Sequence, residues 1–441
     1  MNGLDDLAAF ISTGAAGADP MQAKLRLHIA DSVSAWIAGL ATAEGRALVR
    51  FRKGLSAASL FDDVALACAA TRLSEVDDIH LASMTTCGSI VIPTALTLAA
   101  ALKTAPADLA SAILGGYEAM IRLGLTIHGP DVLNRGIWPT YFGAPFGTAA
   151  VTARLLKLDR TQAGNALALA LTLAAPSVGQ HHAATTSRWL SVGQAARNGL
   201  AAAYAARDGF TNDTNVLQSR LLPDVFGIEP DLAQMAGGAS PRFADVSFKP
   251  WCAARQTMPA TQALRELIDR GLPTPDITAI EAYVLPPHLK MIDHGVRAGD
   301  RASHLTSLPY QMAVTAVAPH DTLDVAQAPA AVCTEVQAFM ERIKVSADNA
   351  LLADYPNVWA GRVVVTTAFG RHEHGVRDVP GDPARPFTVA EVEAKFQRLV
   401  VPLAGDARAR QLFDLGSSVL RDDTALPMIV KEVKDLGGTG D

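Results

Sequence analysis

The residues best suited to chemistry lie in short polar segments between apolar stretches. The first segment contains two adjacent carboxylates, Asp77 and Asp78, followed closely by the imidazole of His80 and the hydroxyl of Thr86. Carboxylates and imidazoles transfer protons near neutral pH when their surroundings adjust their affinity for protons. We therefore predict Asp77 and His80 as catalytic groups and Thr86 as a substrate contact. The alternatives are a helix cap for Asp77 and a structural role for His80.

A second group of segments is aromatic and cationic. Trp138 and Tyr141 lie in a stretch flanked by glycines, and Arg188 comes directly before Trp189. Arginine binds a carboxylate with its planar fork, while aromatic rings line small-molecule pockets. We predict that Arg188 binds substrate and that Trp138 and Tyr141 shape the pocket wall. A buried ion pair between Arg188 and an acid such as Glu75 is the alternative.

The C-terminal half supplies Lys249, Arg255 and Tyr310. A lysine desolvated in a cleft can act as a base or bind an anion, and a phenol can donate a proton to a leaving hydroxyl. We predict Lys249 and Tyr310 as catalytic groups and Arg255 as a substrate contact. A surface lysine before a proline turn and a tyrosine at a helix start are the alternatives.

Two histidine pairs have the close spacing at which imidazoles can ligate a metal. His181 and His182 lie in an interhelical loop, where we predict a substrate contact for His182 because loops on rigid elements often carry function. His372 and His374 follow Gly370, which favours a solvated hairpin tip. The four cysteines show no C-x-x-C spacing, so neither a zinc site nor a disulfide framework is indicated. We expect no metal.

Composition excludes several classes of protein. The 441 residues carry 38 Lys and Arg against 44 Asp and Glu, for a net charge of -6, and no basic stripe occurs. Nucleic-acid binding is therefore not expected. The acidic N-terminus does not resemble a signal peptide, and no apolar run reaches the length of a membrane span. We expect a cytoplasmic protein with no membrane partner.

The apolar pattern predicts two domains. From about residue 20 to 215, apolar residues recur at helical spacing, as in 21–40. After about residue 245, short β-branched runs at 277–285, 343–346 and 362–368 alternate with helices. The predicted fold is mainly α plus α+β: a large all-helical domain at 1–245, joined by C-terminal helices in 400–441, and a smaller α+β domain at 246–399. Several helices are apolar on most faces, which favours a homodimer.

The ordered series of these segments resembles the MmgE/PrpD family over nearly the whole chain. The matching segments are Asp77-Asp78, 116–118, 136–140, 193–199, Lys249-Pro250, 307–310, 355–356 and 380–383. The resemblance implies a helical domain with an α+β domain, a dimer, and no organic cofactor, which agrees with the absence of nucleotide-binding motifs.

The sequence departs from that family at its usual histidines. Thr86-Cys87-Gly88 and Trp138 stand where the family has histidine, and Arg188 replaces a lysine. Two further histidines are replaced, one by Ser191 and one by Thr257 or Met258. The chain is therefore a divergent member in which the exact family activity does not carry over.

The retained groups are suited to removing a proton next to a carboxylate, a reaction that needs a base and cations that stabilise an enolate. We expect a cofactor-independent lyase, dehydratase-like, that acts on a small hydroxy-acid or polycarboxylate. The alternatives are an isomerase or epimerase with the same enolate chemistry, or a decarboxylase. A third possibility is a non-catalytic relative that binds carboxylates.

Overall fold

The computed structural model of the chain describes residues 3–14, 19–176, 185–238, 241–326 and 331–438. Within them the chain divides into two compact units. The first contains the described residues up to 176, Thr186–Ser247 and the residues from Thr388 onward, and the second contains Phe248–Phe387. No helix in the described ranges combines the length and apolar character that a membrane span requires.

The first unit is built from helices. Ten of them precede the second unit: α1 (Gly3–Thr13), α2 (Asp19–Leu40), α3 (Ala43–Lys53), α4 (Leu60–Leu73), α5 (Gly88–Leu102), α6 (Pro106–Thr126), α7 (Gly129–Asn134), α8 (Thr140–Leu155), α9 (Arg160–Thr172) and α10 (Ser187–Arg207). The apolar stripe of α2 is buried, and Asp159 forms a capping box with Gln162 at the start of α9. The backbones of α2 and α4 approach closely, since a Cβ on Gly39 would lie 1.8 Å from Ala70 O.

The second unit combines a small mixed sheet with helices. Its helices are α11 (Met258–Asp269), α12 (Pro286–Ile292), α13 (Arg301–Thr306), α14 (Leu308–Val317) and α15 (Thr334–Met340), and its strands are β1 (Ile277–Val284), β2 (Ile343–Ala347), β3 (Gly361–Thr367) and β4 (Gly370–Val376). The order is β2-β1-β3-β4, with β1 parallel to β2 and antiparallel to β3, and β3 antiparallel to β4. The buried valines of β3 form the core against α11.

Three C-terminal helices return to the first unit: α16 (Val389–Ala404), α17 (Asp406–Ser418) and α18 (Ala425–Leu436). A capping box of Thr388 and Glu391 begins α16. The large helical unit and the small α+β unit confirm the predicted fold class.

The hairpin after β3 corrects one interpretation. The expected tip containing His372 and His374 is part of β4, where these residues pair with Val365 and Val363. Thr367, the last residue of β3, pairs with Gly370, the first residue of β4. The turn is therefore shorter than expected, and the return strand begins before the two histidines.

Candidate functional site

An ion cluster at the end of α4 contains the predicted Asp77. Arg72 Nη1 lies 2.9 Å from Glu75 Oε1 and 3.3 Å from Asp77 Oδ1, and all three side chains are buried. The Arg72 guanidinium also lies 4.5 Å from the centre of the Trp138 ring. Arg72 thus connects a predicted catalytic acid with a predicted pocket residue. Sequence reasoning missed it, although a last-turn arginine followed by acids three and five residues later was a usable signal.

Aromatic rings surround the second arginine of this region. The Arg188 guanidinium lies 5.5 Å from the ring centres of both Trp138 and Trp189. Trp138 packs edge-on against Tyr141, with 5.4 Å between ring centres. Burial raises the pKa of Tyr141, and the nearby Arg188 and Arg72 oppose that rise. The structure therefore brings together four predicted residues: Asp77, Trp138, Tyr141 and Arg188. With Arg72, Glu75 and Trp189 they form a group that we call the Trp–Arg cluster.

The predicted contact of Arg188 with a substrate and its alternative, an ion pair with an acid such as Glu75, both stay predictions. Glu75 forms an ion pair with Arg72. Arg188 is only partly buried, whereas Arg72 is 4% exposed. Of the two cations in the Trp–Arg cluster, Arg188 is therefore the more exposed.

Asp78 belongs to a separate and fully buried network. Its carboxylate accepts hydrogen bonds from Tyr117 Oη at 2.5 Å and from the Gly88 amide at 2.7 Å, and lies 2.8 Å from His28 Nδ1. Burial alone would raise the pKa of Asp78, but these hydrogen bonds hold it below its usual value. Burial also lowers the pKa of His28 to about 4. The network ties α2, α6 and the start of α5 to the segment that carries Asp77.

A second buried ion pair, between Lys395 of α16 and Asp31 of α2, contacts the segment that carries Asp77. Lys395 Nζ lies 2.6 Å from Asp31 Oδ1 and donates a hydrogen bond to Val76 O at 2.7 Å. Burial raises the pKa of Asp31 to about 6, with Lys395 acting in the opposite direction. Neither residue was singled out from sequence, because their separation of several hundred residues leaves no local pattern.

His80 and Thr86 occupy the turn that follows. His80 Nδ1 lies 2.9 Å from Ser83 Oγ and accepts a hydrogen bond from the Ser83 amide at 3.2 Å. Burial lowers the pKa of His80 to about 3, so the ring is neutral at physiological pH. These contacts fit the structural alternative, and its catalytic role stays a prediction. Thr86 is 3% exposed, and its Oγ1 has no hydrogen-bond partner within the described part of the chain.

In the α+β unit, Tyr310 lies beside a small cavity. It occupies the first turn of α14, where Ser307 Oγ accepts the Tyr310 amide at 3.3 Å. Burial raises the pKa of Tyr310 to about 12, with Asp321 contributing in the same direction. The phenol therefore keeps its proton at neutral pH, which suits a proton donor better than a base.

Lys249 and Arg255 are both buried in the α+β unit. Lys249 is 1% exposed, so the surface-lysine alternative does not hold. Arg255 Nη2 donates to both carboxylate oxygens of Asp382, at 2.9 and 2.6 Å, and the guanidinium lies 5.8 Å from the Trp359 ring centre. This internal ion pair competes with the predicted contact between Arg255 and a substrate.

His182 lies outside the described residues. Among the residues that the structure describes, no group of three or more His, Cys, Asp or Glu side chains could hold a metal ion.

Comparison with known proteins gives matches to both halves of the chain. The family model described as the MmgE/PrpD N-terminal domain matches residues 5–222, and the MmgE/PrpD C-terminal domain matches residues 251–417. A cis-aconitate decarboxylase of Aspergillus terreus is 33% identical over 152 residues, which is 33% of this chain and 30% of that protein. A cis-aconitate decarboxylase-like protein of Aspergillus oryzae is 32% identical over 146 residues, or 31% of this chain and 30% of its own. The chain thus matches less than a third of the length of these relatives.

Proposed function

Because the chain belongs to the MmgE/PrpD family, we propose that it is a lyase of the dehydratase or decarboxylase type, acting on a small hydroxy-acid or polycarboxylate. The observation that carries the proposal is the Trp–Arg cluster. It combines a partly exposed arginine, two indoles and a carboxylate held by a second arginine. These are the groups that binding a carboxylate and removing an adjacent proton require.

Arg188 is proposed to bind a substrate carboxylate. Its guanidinium lies against the Trp138 and Trp189 rings, and cation–π contact uses the face of the guanidinium. Hydrogen bonds to a carboxylate use its edge, so both interactions can be made at once. The rings also limit the motion of the side chain, which reduces the entropy lost when substrate binds.

Asp77 is proposed to remove the proton next to that carboxylate. Arg72 faces two carboxylates, those of Asp77 and Glu75, so the trio carries one net negative charge. The Asp78 network and the Asp31–Lys395 pair fix the backbone on which Asp77 lies. A fixed base avoids reorganisation when the transition state forms.

Tyr310 and Lys249, in the α+β unit, are proposed as a proton donor and as a base or anion partner. The phenol of Tyr310 is protonated at neutral pH, so it can donate a proton to a leaving hydroxyl or to the carbon that loses CO₂. The burial of Lys249 supports its proposed role, since an ammonium removed from water binds anions more strongly. The roles predicted for His80, Thr86 and Arg255 remain to be tested, as does the homodimer.

Loss of water is the form of the reaction that uses Asp77 as a base. Loss of CO₂, the activity in the names of the cis-aconitate decarboxylases that this chain resembles, breaks a C–C bond and needs a proton donor such as Tyr310 instead. Purified protein would be incubated in D₂O with cis-aconitate, citrate and malate, with NMR to follow carbon-bound deuterium and an assay for CO₂. Loss of CO₂ from cis-aconitate or loss of water from a hydroxy-acid supports the proposal. Deuterium exchange without net loss indicates the isomerase alternative. Binding of an acid with neither exchange nor loss indicates a non-catalytic relative.

A further inference from the structure

A small cavity lies beside Tyr310. Its walls come from α13, the first turns of α14, residues 321–324 and Cys252. Its volume is about 30 Å³. A bound water needs roughly 10–15 Å³ of such space, so the cavity has room for one or two waters.

His304 places an unused acceptor on the wall of this cavity. Its Nδ1 lies 2.9 Å from Asp300 O, and a carbonyl can only accept, so Nδ1 carries the hydrogen. In the neutral ring, Nε2 therefore presents a lone pair. The side chain is 4% exposed, and Nε2 has no hydrogen-bond partner within the part of the chain that the structure describes. A buried acceptor of this kind usually binds an ordered water.

Tyr310 lies directly against the same ring. The centres of the His304 and Tyr310 rings are 4.8 Å apart, and the rings are nearly perpendicular, at 89°. The other ionisable groups on the cavity wall are Arg301, Asp321, Asp324 and the thiol of Cys252. Asp321 and Asp324 are exposed, so the cavity has a side from which solvent protons can enter.

We propose that a water in this cavity bridges His304 Nε2 and Tyr310 Oη and returns a proton to Tyr310 after each turnover. This inference rests on the proposed role of Tyr310 as proton donor. When the Tyr310 O–H bond breaks, its electron pair stays on oxygen as the phenolate. The water gives a proton to that oxygen and takes one from Nε2, which has gained a proton from solvent. The net change is one solvent proton on Oη, with water and His304 regenerated. His304 is thus a positioning residue that acts through Tyr310.

The water itself is tested by a crystal structure of the wild-type protein without substrate. We expect ordered density within hydrogen-bond distance of both His304 Nε2 and Tyr310 Oη, and retention of that density in His304→Gln, whose amide can still accept. An empty cavity, or a water that contacts neither atom, overturns the proposal whatever the activity of the protein.

The relay is tested by turnover of cis-aconitate, measured as CO₂ release. We expect His304→Gln to lower kcat at least tenfold with little change in KM, since it can hold water but cannot carry a proton, and we expect added imidazole to restore turnover in His304→Ala. His372→Gln, an exposed histidine on β4, is the matched control and should retain the wild-type rate. Wild-type kcat in both His304 variants overturns the relay. Full activity in Tyr310→Phe instead refutes the donor role of Tyr310, and the relay with it.

Discussion

Removal of one hydroxyl from the buried Asp78 network should destabilise the protein measurably. In Tyr117→Phe the ring volume is kept, while the 2.5 Å hydrogen bond from Tyr117 Oη to Asp78 is lost. Hydrogen bonds to charged groups contribute about 1.5–3 kcal/mol net, and here the carboxylate keeps its contacts with His28 and the Gly88 amide. We expect a loss of about 2 kcal/mol in the free energy of unfolding at pH 7.

The assay is urea unfolding followed by far-UV circular dichroism and tryptophan fluorescence, with coincident transitions as the test of two-state behaviour. Tyr283→Phe is the matched control, because it removes a 2.8 Å hydrogen bond to Glu281 on the surface of the sheet. Surface changes of this kind stay within about 0.5 kcal/mol. Equal losses in the two variants would refute the account of Asp78 as a buried ionised carboxylate.

The same variant has a pH signature whose sign follows from the pKa of Asp78. That pKa is lowered in the folded protein, so the ionised form adds stability above the unfolded value of about 3.9, and this stability is lost as pH falls. The difference between wild type and Tyr117→Phe should therefore shrink below pH 4. A difference that stays constant down to pH 3 would show that charge plays no part in the hydrogen bond.

Three further changes have defined outcomes. Arg188→Lys keeps the charge but loses the planar fork, so KM for the carboxylate that the wild type turns over should rise about tenfold or more, while an unchanged KM would exclude Arg188 as the carboxylate contact. Because the pKa of Asp31 is raised to about 6, the stability that this group contributes in the wild type falls as pH rises from 4 to 6. That fall should be absent in Asp31→Asn, and the same pH dependence in both proteins would contradict the raised pKa. Arg255→Met leaves the Asp382 carboxylate buried and unpaired, so thermal unfolding should reveal a loss of about 3–5 kcal/mol, whereas lost turnover at unchanged stability would return Arg255 to a substrate contact.

The elements that the sequence predicted well are those with a periodic signal. The buried stripe of α2 and the β-branched runs of β1 and β3 each have a local physical cause, and their bounds agree with expectation within a few residues. The α3 and α18 helices were missed. Their charged faces dilute the apolar pattern, and their burial depends on partners elsewhere in the chain.

The candidate site was predictable in its residue types but not in its pairings. Asp77, Trp138 and Arg188 were expected to act in one pocket, and the structure brings them together through Arg72. The adjacent Asp77 and Asp78 looked equivalent in sequence, yet one contacts Arg72 and the other His28 and Tyr117. Only tertiary packing separates them, because neighbouring side chains point in different directions.

The central claim is that Asp77 removes a proton next to a substrate carboxylate. The direct measurement is the rate at which the hydrogen next to the substrate carboxylate exchanges with D₂O in wild type, Asp77→Asn and Asp414→Asn, the last being an exposed control on α17. General bases contribute about 10²–10⁴-fold, so Asp77→Asn should lose at least 100-fold in the exchange rate while Asp414→Asn retains the wild-type rate. Exchange in Asp77→Asn at the wild-type rate would contradict the account.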